Sequence, residues 1–233
     1  MSRHHTDAPA PTGREVALAI PRRILLPAAV LWVAVVGVGL LLAQLPENGI
    51  NEWFVGVRTP ALDSVTGVVS SMASTTVMIA TCVVVVALVW WRSGRWWFAI
   101  VPAIALAVEA AVFLTSSLIV GRERPDVDHL DDAPPTSSFP SGHTGASTSV
   151  YIAFALMATR IRNGAARVTV IVICVLLPIG VALARVYRGM HHPTDVLAGI
   201  AVGVTCALIA WNWLPRRDDA GITETPRAAP ASA

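Results

Sequence analysis

Six long apolar stretches, at residues 24–45, 68–91, 96–120, 143–160, 166–184 and 194–214, constrain this chain more than any other feature. A helix crossing the hydrocarbon core of a bilayer needs about 20 predominantly apolar residues. The expectation is therefore an all-α fold, a bundle of six transmembrane helices. Composition agrees: 14% of residues are charged, against about 25% in ordinary globular domains, and the mean hydropathy is +0.63. The stretch at 143–160 is the shortest. That at 68–91 opens with Ser70, Ser71, Ser74, Thr75 and Thr76, small polar residues that suit close helix packing. The first stretch exceeds a signal-peptide core and no small-residue cleavage site follows, so it reads as an anchor. One membrane domain over 21–215 is expected, flanked by disordered cytoplasmic tails at 1–20 and 216–233 that are rich in Ala, Pro, Thr and charge.

Arginine placement sets the orientation. The chain has no lysine, and twelve of its arginines fall on one face of a six-span bundle: Arg3, Arg14, Arg22, Arg23, Arg92, Arg95, Arg160, Arg162, Arg167, Arg216, Arg217 and Arg227. The other face holds five: Arg58, Arg122, Arg124, Arg185 and Arg188. Both termini are thereby predicted to be cytoplasmic. Trp90, Trp91, Trp96, Trp97, Trp211 and Trp213 sit where an interfacial aromatic belt is expected. The net charge of +2 gives no reason to expect a nucleic-acid partner. Cys82, Cys174 and Cys206 lie within apolar runs and read as packing residues.

Four of the five exceptional arginines cluster in two outer segments, GRERPDVDHLDDAPPTSSFPSGH and ARVYRGMHHPTD. A bound anion explains them better than topology does. Ser141, Gly142 and His143 open the fourth stretch; a helix start offers free N–H groups and the positive end of the dipole, which suit a phosphate. Taken alone, that pattern reads first as an ordinary Ser N-cap beside a histidine. The second segment changes the balance. His191 stands four residues before Asp195, within reach near a helix start. A carboxylate on one ring nitrogen fixes the tautomer and leaves the other as a nucleophile or base. Arg185 ends the fifth stretch at the same face, and the guanidinium of Arg124 can hold phosphate oxygens in a bidentate fashion. Asp126, Asp128, Asp131 and Asp132 show no metal-ligand spacing and read as a solvated acidic loop, so neither a metal nor another cofactor is expected.

Arg124-Pro125, the Pro-Ser-Gly-His run at 140–143, and Arg185-x5-His191-x3-Asp195 together resemble the three-part signature of the type 2 phosphatidate phosphatase superfamily. The resemblance covers roughly residues 60–214 and implies a six-span helical membrane phosphatase. By that resemblance His191 attacks phosphorus to form a phosphohistidine, Asp195 orients it, and His143 protonates the leaving oxygen. Arg124, Arg185, Ser141 and Gly142 hold the phosphoryl oxygens. Two positions depart from the signature: Ser117 stands where a lysine is usual, and Ala184 where a serine is usual. Arg122 is the candidate to replace the missing lysine. Glu109, inside the third stretch, either pairs with another helix or lines the substrate path.

The expected function is a phosphatase in the cell membrane with its active site at the extracytoplasmic surface. It would take the headgroup of a lipid phosphate or diphosphate while the tail stays in the bilayer. A polyprenyl diphosphate is the favoured substrate, since the lysine-free, Ala/Val/Arg-rich composition fits a GC-rich bacterial genome. Phosphatidic acid and phosphatidylglycerol phosphate follow. A non-catalytic anion-binding or transport protein on the same scaffold is the competing class; it would have no use for His143, His191 and Asp195 together. A vanadate-dependent haloperoxidase is disfavoured by the six spans.

Overall fold

The computed structural model describes residues 10–214 apart from residue 134, so residues 1–9 of the expected N-terminal tail and all of the expected C-terminal one lie outside the described residues. The N-terminal tail is helical from Gly13 onward. α1 runs Gly13–Leu42, and Thr12 and Glu15 cap it reciprocally, each side chain accepting from the other residue's backbone N–H. The tail boundary drawn at residue 20 therefore moves back to the start of this helix. A π-helical turn at Ile20–Leu25 carries Pro21 within α1.

The other helices are α2 (Gly49–Gly56), α3 (Pro60–Ser71), α4 (Thr75–Ser93), α5 (Trp96–Ala99), α6 (Val101–Val120), α7 (Gly142–Ala158), α8 (Gly164–Tyr187) and α9 (Pro193–Asn212). No strand occurs among the described residues. Five helices, α1, α4, α6, α8 and α9, are long and apolar enough to cross a membrane. The fourth predicted stretch forms α7, whose 17 residues fall short of that measure. Its surroundings make up the difference. It packs against α4, α6, α8 and α9, and two of its hydroxyls bond inside their own helix, Ser147 to the His143 carbonyl at 2.8 Å and Ser149 to that of Ala146 at 2.9 Å. A helix sheltered by protein needs neither the length nor the apolarity of one facing lipid. The predicted second span likewise starts later than expected. Its Ser/Thr run turns at Met72–Ser74, because hydroxyls such as that of Ser71, 2.8 Å from the Val68 carbonyl, compete for the helix backbone.

The seam between α7 and α9 positions the site. Gly199 and Gly203, one turn apart on α9, form a small-x3-small pair that lets two helices approach closely. A Cβ at Gly203 would lie 2.5 Å from Cβ of Thr148, and one at Gly199 would lie 2.8 Å from the Ser141 carbonyl. The start of α9, with Asp195, is thereby pressed against the start of α7. At the far end of the bundle, Trp97, Phe98, Trp213 and Leu214 are buried together, and the Trp213 indole donates to the Trp97 carbonyl at 3.1 Å. Two of the tryptophans expected in an interfacial belt are thus core residues, whereas Trp90 and Trp91 are exposed.

Candidate active site

A cavity of about 360 Å³ runs between α4, α6 and α7 and ends against the 121–141 loop and the turn from α8 to α9. Its polar end is lined by Arg124, Thr136, Ser137, Gly142, His143, Arg185 and His191. Its apolar wall is formed by Met78, Ile79, Leu106, Phe113 and Leu114, with Glu109 among them. Ile79 and Leu114 are about half exposed on the outside of the bundle, so the apolar end opens sideways between α4 and α6. A charged group and a long apolar chain can therefore occupy one continuous cavity.

His191 follows the left-handed turn at Gly189, where φ is +75° and a Cβ would meet the Asp128 carbonyl at 2.8 Å. Its Nδ1 lies 2.8 Å from the carbonyl oxygen of Ser138. A carbonyl only accepts, so Nδ1 carries the proton and Nε2 keeps its lone pair. Burial of the ring, opposed by Asp195, pushes its pKa down to about 4, so the ring is neutral near pH 7.

Asp195 does not hold His191 in the expected way. Its Oδ2 is 3.8 Å from Nδ1. That oxygen accepts a short hydrogen bond from the Ser138 hydroxyl and another from the His192 N–H at 2.8 Å. The carboxylate fixes Ser138, and the Ser138 carbonyl fixes the imidazole. Asp195 is fully buried and is neutralised by Arg122, whose Nη1 lies 2.6 Å from Oδ1.

That pairing also moves Arg122 out of its expected role. It does not line the cavity; its guanidinium is held between Asp195, Thr194 and Glu47. A buried carboxylate at the start of α9 needs a cation, and Arg122 is the nearest one the loop can supply. Ser141 is likewise absent from the cavity wall. Its N–H donates to the Asp195 carbonyl at 3.1 Å and its hydroxyl meets that of Thr144 at 3.0 Å, so both are engaged within the protein. Ser117, at the missing lysine's position, is buried and bonds back to the Leu114 carbonyl at 3.0 Å.

Arg124, Arg185, Gly142 and His143 do face the cavity. Arg124 is braced by the Met190 carbonyl at 2.7 Å, and His143 occupies the first turn of α7, where the N–H groups have no intrahelical partner. Arg185 donates to Ser70 at 2.8 Å and to Asp131 at 2.7 Å, while its Nε is buried without a partner among the described residues. Asp131 also receives Arg188 at 2.6 Å. Although burial alone would raise its pKa, the Arg188 hydrogen bond and the two guanidinium charges hold this carboxyl below its ordinary value. The loop read as solvated thus delivers an anion to an arginine of the cavity. Of the five outer arginines, Arg58, Arg122 and Arg188 staple the loops to the bundle, Arg58 through the Asp128 and Tyr187 carbonyls.

Sequence reasoning missed Asn51, Glu47 and Ser138. Asn51 is buried and donates to the carbonyls of Val186 and His191, both at 3.1 Å, anchoring the turn that bears His191. Glu47 bonds Thr194 and Arg122. Nothing in their local spacing marks either one, since their partners are more than seventy residues away. Among the described residues no group of three or more His, Cys, Asp and Glu side chains could hold a metal ion.

The sequence model described as the PAP2 superfamily matches residues 96–219, more than half of the chain. A decaprenylphosphoryl-5-phosphoribose phosphatase of Mycobacterium tuberculosis is 33% identical over 121 residues, 51% of this chain and 61% of that protein's length. A lipid A 1-phosphatase of Rhizobium johnstonii is 34% identical over 99 residues, 39% of this chain and 37% of the relative. The matched stretch thus spans less than two thirds of either relative. The crystal structure of a transmembrane PAP2-type phosphatidylglycerolphosphate phosphatase from Bacillus subtilis has a TM-score of 0.66 at 21% identity, covering 91% of this chain and 98% of that one. LpxE of Aquifex aeolicus follows with a TM-score of 0.59 at 19% identity, covering 73% and 98%. These two structures share the fold.

Proposed function

We propose that this chain, which belongs to the PAP2 superfamily, is a membrane phosphatase that hydrolyses a lipid phosphate through a phosphohistidine on His191. One observation carries the reading. The Ser138 carbonyl holds the Nδ1 proton of His191, which leaves the Nε2 lone pair on a cavity wall shared with His143, Arg124 and Arg185.

In the first step Nε2 attacks phosphorus as the bond to the leaving oxygen breaks. The phosphoryl dianion offsets the charges of Arg185 and Arg124 beside His143, which takes up a proton and, as imidazolium, gives it to the leaving oxygen. Phosphoryl oxygens lie against Arg124 and Arg185, whose fixed charges oppose the charge that develops in transfer. The dianion competes with Asp131 for Arg185 and occupies the otherwise unpartnered Nε–H. In the second step neutral His143 takes a proton from water, the water oxygen bonds to phosphorus, and the P–N electron pair returns to Nε2. Asp195 acts at one remove, keeping Ser138 and hence the imidazole in place.

The sideways opening between Ile79 and Leu114 suits a substrate whose tail remains in lipid. The polar end belongs outside the cytoplasm in this reading, because twelve of the seventeen arginines fall on the opposite face. The site is better furnished for a single phosphoryl group than for the diphosphate first favoured. Ser117 faces its own helix and Arg122 is committed to Asp195 and Glu47, so no second cation is directed at the cavity from those two positions. The relatives' names also point to phosphorylated lipids. The test is to offer purified protein a panel of lipid monophosphates and diphosphates in EDTA. Phosphate release from a monophosphate that survives the chelator and disappears in His191→Ala is expected. Activity that needs an added divalent ion would contradict the reading.

A further inference from the structure

One side chain on the cavity wall has no part in the chemistry above. Glu109, on α6, is 3% exposed and lines the cavity, and no hydrogen bond or ion pair from the described residues reaches its carboxyl. An ionisable group inside a membrane-spanning helix is costly and is retained where it serves a function, and a buried polar group without a partner costs folding free energy. A carboxyl in this setting needs a reason.

Its depth follows from two contacts. Phe113 packs on Gly142, where a Cβ would sit 2.7 Å from the ring, and Glu109, one turn along α6, packs directly on Gly145. Gly145 lies about 4.5 Å along α7 from Gly142. The carboxyl therefore stands about 3 Å deeper along α7 than His143, on the wall of the same cavity. Gly145 is what makes room for it, since a side chain there would collide with Oε1.

We propose that Glu109 is a specificity-determining residue that reads the leaving group, hydrogen-bonding a hydroxyl carried next to the scissile ester. The substrate class that follows is a phosphomonoester of a polyol- or sugar-bearing lipid. This rests on the phosphatase reading and adds the chemistry of the group that departs. A leaving group beside His143 lies in the cavity that Glu109 also lines. A hydrocarbon there leaves the carboxyl without a partner. A second phosphate there meets a carboxyl, with Ser117 and Arg122 both turned elsewhere. A hydroxyl donates to the carboxylate or accepts from the acid, so it satisfies either form.

The test compares lysophosphatidic acid with its analogue lacking the glycerol hydroxyl, using purified full-length protein in mixed micelles. A site built to bond a substrate hydroxyl rejects the analogue without it strongly, by up to about 10⁴–10⁵ in closed pockets. For a cavity open to lipid, a kcat/KM ratio of at least about tenfold is expected in the wild type. The ratio should fall to about one in Glu109→Leu and be largely retained in Glu109→Gln. Equal kcat/KM for the two lipids in the wild type would overturn the inference even if no variant folds, as would an unchanged ratio in a folded Glu109→Leu protein. Loss of both rates in the same proportion would mean a structural role and would also overturn it. Failure to release phosphate from any lipid gives a different pattern and would overturn the phosphatase reading itself, and this inference with it.

Discussion

The Nδ1 proton of His191 is the smallest feature on which the chemistry depends, because it decides which nitrogen is free. Burial pushes the ring's pKa down to about 4, from about 6.5 in an unfolded chain. Between these values the unfolded chain binds more protons, so stability contributed at neutral pH is lost as the pH falls from about 6.5 toward 4. The nucleophile is present above about pH 4 by the same argument. With the substrate's own ionisation measured separately and divided out, kcat/KM should hold down to about pH 5 and fall below it. An enzyme limb at about 6.5 would mean a solvated ring. His143, His191, Arg124 and Arg185 were legible at this scale through their motifs, the predicted topology and the resemblance those motifs carry, and all four line the cavity. The division of labour between Arg122 and Arg124 was not. They carry the same charge two residues apart, and their directions are set by distant contacts of the 121–141 loop, such as the Ser138 N–H on the Arg122 carbonyl at 2.9 Å. Asp131 was read as solvated for a related reason: its partners, Arg185 and Arg188, are more than fifty residues away.

At the scale of elements, the close seam between α7 and α9 holds Asp195 against Ser141. Widening it should damage the site before it dissolves the bundle. Gly203→Val places a branched side chain where even a Cβ would lie 2.5 Å from Thr148. Overpacking of this kind costs about 1–3 kcal/mol, and a shift of Asp195 loosens Ser138 and with it His191. A lowered Tm in detergent, with a fall in kcat larger than the stability loss explains, is the expected outcome. Gly37→Ala has nothing within 4 Å and should be neutral or mildly stabilising. Equal effects of the two substitutions would argue against the seam. The glycine pair on α9 and the Thr12–Glu15 cap are patterns the sequence carries, but neither was drawn from it, and the cap lies in the segment read as a disordered tail. The short α7 and the break before α4 could not be read in the same way. Hydropathy measures what a helix offers to lipid, and it cannot register that neighbouring helices shelter α7 or that Ser70, buried within α3, accepts from Arg185.

For the whole molecule, the all-helical architecture follows from the apolar runs alone, whereas orientation rests on charge. The account places residues 121–142 and 185–193 away from the cytoplasm. After removal of the native cysteines, Asp132→Cys and Arg162→Cys, both at exposed positions, should differ toward an impermeant thiol reagent on intact cells. Labelling at 132 and not at 162 is expected. The reverse pattern would invert the molecule and bring its substrate from the cytoplasmic leaflet. Three of the five outer arginines serve as structural staples, so the anion explanation for their placement holds only for Arg124 and Arg185, the pair that lines the cavity.

The central claim is that His191 carries the phosphoryl group, and the most direct measurement is to trap it. A lipid monophosphate labelled in its phosphate is mixed with wild type, His143→Ala and His191→Ala, quenched at alkaline pH, and the protein-bound label counted. His143→Ala should accumulate acid-labile, base-stable label to about one equivalent, because general acid–base assistance worth about 10²–10⁴-fold is missing from hydrolysis of the intermediate. A substrate with an activated leaving group lets that variant complete the first step. His191→Ala should carry none. Label of the same stability in His191→Ala would move the nucleophile to another residue, with His192 beside it the first to examine, and would contradict the account.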